Sequence, residues 1–268
     1  MSTPTTEKTY PAPAPSHGSL TKISDNVYIV PGSFQMAPGI RITLTMSIVK
    51  RSSDLTIINS MRVSSDVEEE IKKLGTIKNV VRICSNHGAH DEYYVDTFNA
   101  TYYDIPNAAS TKGTTKVPST DNILEDGKEV PGISGSKVYF VKNIKMPEAL
   151  VLLPKSDGGN GILITGDLIQ SGHYPPRSTM STRGSNFITK YFINMDTGHT
   201  NFVASHILNP LLGFSTGSLT TPPPYFQFYG NGEDIYVNVP IVMEFDFDSI
   251  ITGTYPATCM LFLSEYYH

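Results

Sequence analysis

Apolar residues fall in short runs broken by turn-forming residues, and each run predicts one element. Val27 to Val30 predicts a strand closed by Pro31-Gly32. Arg41 to Lys50 and Leu55 to Asn59 predict two more, joined by the turn Ser52-Ser53-Asp54. The clearest helix follows. Ser64 or Ser65 can cap it, Asp66 and Glu68 to Glu70 favour its first turns, and Val67, Ile71 and Leu74 share one face. Lys72 and Lys73 suit its last turn and Gly75 stops it. Asn79 to Cys84 reads as a compact strand running into Ser85-Asn86-His87-Gly88-Ala89-His90-Asp91, with a helix over Glu92 to Phe98.

Residues 107 to 135 are rich in Ser, Thr, Gly and Pro and predict a long loop. Lys137 to Val141, Ala149 to Leu153 and Gly161 to Thr165 predict strands. Phe202 to Leu208 suits a short helix, and Leu219 to Pro224 and Tyr229 to Asp234 read as loop. A strand over Asp248 to Thr252 and a helix over Cys259 to Tyr267 close the chain. Strands mixed with helices in two successive groups suit a layered α/β (α+β) sandwich.

The 268 residues are enough for one large domain, read as residues 21–268, with residues 1–20 as a disordered or extended tail rich in Pro and Thr. The net charge of -5 gives no basic field, so neither nucleic acid nor an anionic membrane is an expected partner. No apolar run approaches the length of a transmembrane helix. Two cysteines, Cys84 and Cys259, exclude a disulfide framework or a Cys-rich zinc module. A cytoplasmic location is expected.

Two segments carry candidate chemistry. In His87-Gly88-Ala89-His90-Asp91, imidazole and carboxylate gather just after an apolar strand, a common way to hold a transition metal or a reactive water. In Gly161-Ile162-Leu163-Ile164-Thr165-Gly166-Asp167, a second apolar strand ends in Gly-Asp. Their order and separation resemble the metallo-β-lactamase superfamily, with its strand–His–x–His–x–Asp–His loop and later strand–Gly–Asp. The resemblance runs over roughly residues 27 to 260 and implies a four-layer αββα sandwich with two mixed sheets.

The resemblance also brings out departures. His87, Asp91 and Asp167 match ligand positions of the family's two-metal centre. Ala89 and Glu92 stand where that loop has histidines, Lys145 where a fourth would be, and Thr254 where the last would be. A tetrahedral zinc site needs three or four donors, so the resemblance implies at most one ion. It would be zinc, iron or manganese on His87, Asp91 and Asp167, with His90, Glu92 or Glu148 as further donors. Lys145 is the alternative counter-charge to Asp167 and Asp91.

Three functions follow. The first is a hydrolase of a small ester, lactone, thioester or phosphoester, with one ion lowering the pKa of a bound water. The second is a non-catalytic binding or regulatory member of the same fold, with Lys145 in place of metal. The third is a metal-free catalyst with His87 as general base near Asp91. All three take a small-molecule ligand or substrate, and homo-oligomers are compatible with each. Plainer roles stand beside them: His87 as a loop residue, Asp91 as a helix cap and Asp167 as a turn residue. His173 and His206 suit loop and helix roles, His199 in Gly198-His199-Thr200 falls after Gly-Asp rather than before it, and His17 and His268 lie in expected disordered ends.

Gly132-Ile133-Ser134-Gly135-Ser136 lacks the second glycine of a nucleophile elbow, and Gly158 to Gly161 precedes a strand rather than opening a helix. Asn99-Ala100-Thr101 is a glycosylation triplet that matters only on a secretory route. The aromatic stretch from Pro222 to Tyr229 reads as a packed loop.

Overall fold

The computed structural model describes residues 8–14, 16–37, 40–85, 87–108, 118, 120–144, 147–155, 159–166, 170–171, 219–220, 245–251 and 258–260. The expected helix over Phe202 to Leu208, the aromatic stretch from Pro222 to Tyr229 and the loop from Tyr229 to Asp234 lie outside them.

The first sheet contains β1 (Ser16–His17), β2 (Thr21–Ser24), β3 (Val27–Ala37), β4 (Ile40–Arg51), β5 (Asp54–Ile58), β6 (Thr76–Val81) and β7 (Thr101–Tyr103). Its order is β1-β3-β4-β5-β6-β7, with β2 also on β3. The β3–β4 and β4–β5 pairs are antiparallel, whereas β5–β6 and β6–β7 are parallel. Parallel neighbours need a crossover, and helices α1 (Ser65–Leu74) and α2 (Asp91–Phe98) supply the two.

The second sheet contains β8 (Lys137–Phe140), β9 (Ala149–Leu153), β10 (Gly161–Ile164), β13 (Phe247–Ile251) and β14 (Thr258–Met260). Its order is β14-β13-β10-β9-β8, and only β10–β13 is parallel. A separate pair joins β11 (Gln170–Ser171) to β12 (Leu219–Thr220).

Side-chain alternation on the first sheet separates two cores. Ile29, Val49, Ile58 and Val81 point to one side and pack with Val138, Val151, Ile162, Ile164 and Ile251 of the second sheet. Their neighbours Val30, Ile48, Ile57 and Val80 point to the other side and pack under Val67 and Ile71 of α1 and Tyr94 of α2. A period of two along each strand makes this division automatic. Helix, sheet and sheet are thus three of the four layers expected of the αββα sandwich. No helix among the described residues is long and apolar enough to cross a membrane.

The predicted strands and both internal helices are present, with shifted ends. β3 does not stop at Pro31-Gly32 but runs on to Ala37. The proline falls where the partner of β3 changes from β2, paired as far as Ile29, to β1, paired from Gly32. Ser64 occupies the cap position of α1 without a side-chain cap bond, and its N–H donates to His17 Nε2 at 2.9 Å. Of the expected closing helix over Cys259 to Tyr267, only Cys259 and Met260 lie within the described residues, and they are corrected to strand: residues 258–260 form β14, held by pairing with β13. Leu219–Thr220, expected as loop, is strand β12.

Residues 8–14 and 16–20 fall within the expected tail, and they lie along the domain, with Ala14 buried and β1 paired to β3. The Ala14 N–H donates to Arg62 O at 2.8 Å, which replaces the water that a free tail would keep.

Ile71 is fully buried between α1 and the first sheet. Ile71→Ala should lower unfolding free energy by about 2–5 kcal/mol. Glu70→Ala, on the exposed side of α1, should stay within about 0.5 kcal/mol. Urea titration followed by circular dichroism measures both.

Candidate functional site

The candidate site forms where the ends of β6, β9 and β10 converge. Beyond β6 the chain bridges to the segment before β9. Cys84 pairs with Glu148, Ala149 N–H donates to Ile83 O at 2.7 Å, and the Ser85 hydroxyl donates to Pro147 O at 2.8 Å. The end of β10 reaches the same place. Gly166 N–H donates to Glu148 Oε1 at 3.1 Å. A Cβ on Gly166 would lie 2.6 Å from Cys84 Cβ and 2.8 Å from Glu148 Cδ, so only glycine fits between them. The end of β10 therefore meets the chain at Cys84, three residues before His87.

From Cys84 the chain turns tightly. His87 N–H donates to Cys84 O at 3.2 Å, and Asp91 N–H donates to Gly88 O at 3.3 Å as α2 begins. His87, His90 and Asp91 are all buried. Asp91 does not cap the helix; it is the first residue of α2, with His90 at the cap position. Its carboxylate faces inward, where Ser60 Oγ donates to Oδ1 at 2.6 Å. Oδ2 is buried and has no hydrogen-bond partner among the described residues.

Beneath the turn lies Arg82, a buried cation that sequence reading missed. Its Nε donates to Cys84 O at 3.0 Å and its Nη2 donates to Ser85 O, so the guanidinium fixes the base of the turn. Its Nη1 is 3.9 Å from Asp104 Oδ2. Tyr102 donates to the same carboxylate at 3.1 Å. The missed signal is a charged residue inside the apolar run from Val80 to Cys84, where burial requires a partner.

Burial and neighbouring charge set the protonation states. Burial pushes Asp91 up to about 6, against the Ser60 hydrogen bond and the Arg82 charge. Asp104 is raised by the same cause. Burial pulls His90 down to about 4, so its ring is neutral near pH 7.

The predicted donors separate into distinct surroundings. Asp91 is engaged by Ser60. The His90 ring meets the backbone of Ala12. Glu92 accepts from Lys8 Nζ at 2.8 Å on the outer side of α2. Glu148 accepts from Gly166. Asp167 and Lys145 lie outside the described residues, as do His173, His199, His206, Thr254 and His268. Among the described residues no three His, Cys, Asp or Glu side chains gather closely enough to hold an ion. The described residues alone therefore do not fit a metal centre of the family's kind.

No family model matches the chain and no curated protein is significantly similar to it. Among solved structures it is similar to the DIM-1 metallo-β-lactamase, with 13% identity over 57% of this chain and 71% of that one, at a TM-score of 0.46. The metallo-β-lactamase from Hirschia baltica aligns at 13% identity over 58% and 74%, with a TM-score of 0.45. FIM-1 from Pseudomonas aeruginosa, solved in a mono-zinc form, aligns at 15% identity over 60% and 73%, with a TM-score of 0.45.

The two perturbed groups have opposite consequences for stability. Between about pH 4 and 6 the folded state keeps a proton on Asp91 that the unfolded state has lost, so this group makes stability fall as pH rises. Between about pH 4 and 6.5 the unfolded state protonates His90 and the folded state does not, so this group makes stability rise with pH. In metal-free protein the two should nearly cancel. Asp91→Asn should leave a rising slope, and His90→Gln a falling one, each up to about 1.4 kcal/mol per pH unit. Urea unfolding at half-unit pH steps reads both.

Proposed function

We propose that the chain is a non-catalytic, ligand-binding or regulatory protein of metallo-β-lactamase type. The observation that supports this reading is the separation of the described donors. Ser60 donates to Asp91 and leaves its Oδ2 without a described partner, Glu92 faces Lys8 and Glu148 faces Gly166. Three or four donors around one point are what a divalent ion requires, and the described residues do not gather that way. In this reading the occupant is a small molecule, with no nucleic acid and no membrane involved, and the protein is cytoplasmic. Lys145, which stands where the resemblance expects a histidine, then supplies the positive charge that metal would otherwise supply.

A second reading, hydrolysis of a small ester, lactone, thioester or phosphoester, is favoured by one specific contact. Gly166 against Cys84 brings the chain just before Asp167 to the start of the His87 turn. Under that reading His87, Asp91 and Asp167 are the working residues.

Elemental analysis of purified protein, before and after reconstitution with zinc, iron or manganese, separates the readings. The binding reading expects well below one equivalent of any of them and no hydrolysis in an esterase and lactonase screen. Near-stoichiometric metal that disappears in both His87→Ala and Asp167→Asn would overturn it in favour of the hydrolase.

A further inference from the structure

The outer face of α2 carries a feature independent of the metal question. Residues 8–14, Lys-Thr-Tyr-Pro-Ala-Pro-Ala, lie across it without forming a strand. Lys8 Nζ reaches both Glu92, at 2.8 Å, and Asp96, at 2.5 Å. The Tyr10 hydroxyl donates to Asp96 Oδ2 at 2.8 Å. The Tyr10 ring meets Tyr93 edge-on, with centroids 5.5 Å apart. The guanidinium of Arg62 lies 4.2 Å from the Tyr93 ring centroid and donates to Pro11 O at 2.5 Å.

The receiving surface is itself braced. Tyr93 donates to Glu68 Oε2 of α1 at 2.6 Å, which fixes the ring that Tyr10 meets. An acidic pair and an aromatic ring on α2 thus stand beside an arginine donor from the segment before α1. A lysine, a tyrosine and a proline carbonyl of an extended segment meet them in order. Extended proline-containing peptides dock on aromatic surfaces in this way, because proline sets the backbone in advance and little order is lost on binding.

At its start, over residues 8–11, the segment is held by contacts that water and salt can replace, whereas Ala14 is buried and its N–H is bonded to Arg62 O. Lys8 and Asp96 are exposed, and exposed ion pairs hold little. Pro11 and Pro13 have no N–H to anchor.

We propose that the surface formed by Glu92, Tyr93 and Asp96 of α2 with the adjacent Arg62 is a peptide-binding site for extended Lys-x-Tyr-Pro segments, filled in cis by the chain's own residues 8–11 as a detachable arm anchored at Ala14. Tethering gives the arm an effective concentration near the millimolar range, so a free peptide at micromolar concentration cannot displace it from the wild type. Weakening the arm while leaving the surface intact opens the site.

The test uses the full chain and a fluorescein-labelled peptide of residues 5–16. The Lys8→Ala/Tyr10→Ala chain should bind the peptide at least tenfold tighter than the wild type, by fluorescence anisotropy. Adding Asp96→Asn to that variant should weaken binding about two- to fivefold. No saturable binding to the double variant would overturn the proposal and make residues 8–14 a fixed part of the fold, and so would binding that ignores Asp96→Asn.

Discussion

The close approach of Gly166 to Cys84 and Glu148 is the constraint on which the rest of this corner depends. Two sheets share a core of Val, Ile and Leu side chains, and such packing alone tolerates sliding. At this corner the backbone of β10 comes against the end of β6 with no room for a Cβ. The Glu148 carboxylate closes the gap by accepting the Gly166 amide, and Cys84 pairs with Glu148 across the bridge. Three strand ends are thereby held in one register. The turn from Cys84 to Asp91 is built on that junction.

Electrostatics complete the corner from below. One guanidinium, that of Arg82, serves two carboxylates, Asp91 and Asp104, in a region removed from water. If both acids were ionised the group would carry an excess negative charge. A proton on Asp91 below about pH 6 leaves one cation facing one anion. Below about pH 6 charge balance in this corner is then met by Arg82 and a proton. Arg82 is accommodated in an otherwise apolar run by its bonds to Cys84 O and Ser85 O and by the nearby Asp104.

Much of the fold was legible because strand alternation and turn residues report burial directly. The runs around Val49, Ile58, Val81, Val151 and Ile164 located the sheets, and the spacing of Val67, Ile71 and Leu74 located α1. The failures have physical causes. Pro31 reads as a terminator, yet β3 passes through it because the neighbouring strand changes there. Cys259 to Tyr267 has no strand alternation, yet pairing with β13 makes residues 258–260 a strand. The segment from Lys8 to Ala14 has the composition of a free tail, and what holds it down is distant in sequence: the acidic and aromatic face of α2, Arg62 and the core that buries Ala14. At the site, the residue types at His87 and Asp91 were legible and so was their shared turn. Where the carboxylates point was not, because Ser60, Lys8 and Gly166 are remote in sequence from the groups they engage.

The central claim is that Asp91 is a buried structural acid rather than a vacant metal ligand. Carbon-13 NMR of the aspartate side-chain carboxyls, titrated from pH 3 to 8 and assigned with Asp91→Asn, tests it most directly. The account predicts that Asp91 titrates near 6 and that one equivalent of zinc leaves the midpoint in place. An ordinary midpoint near 4, or a midpoint driven sharply down by stoichiometric zinc, would contradict it.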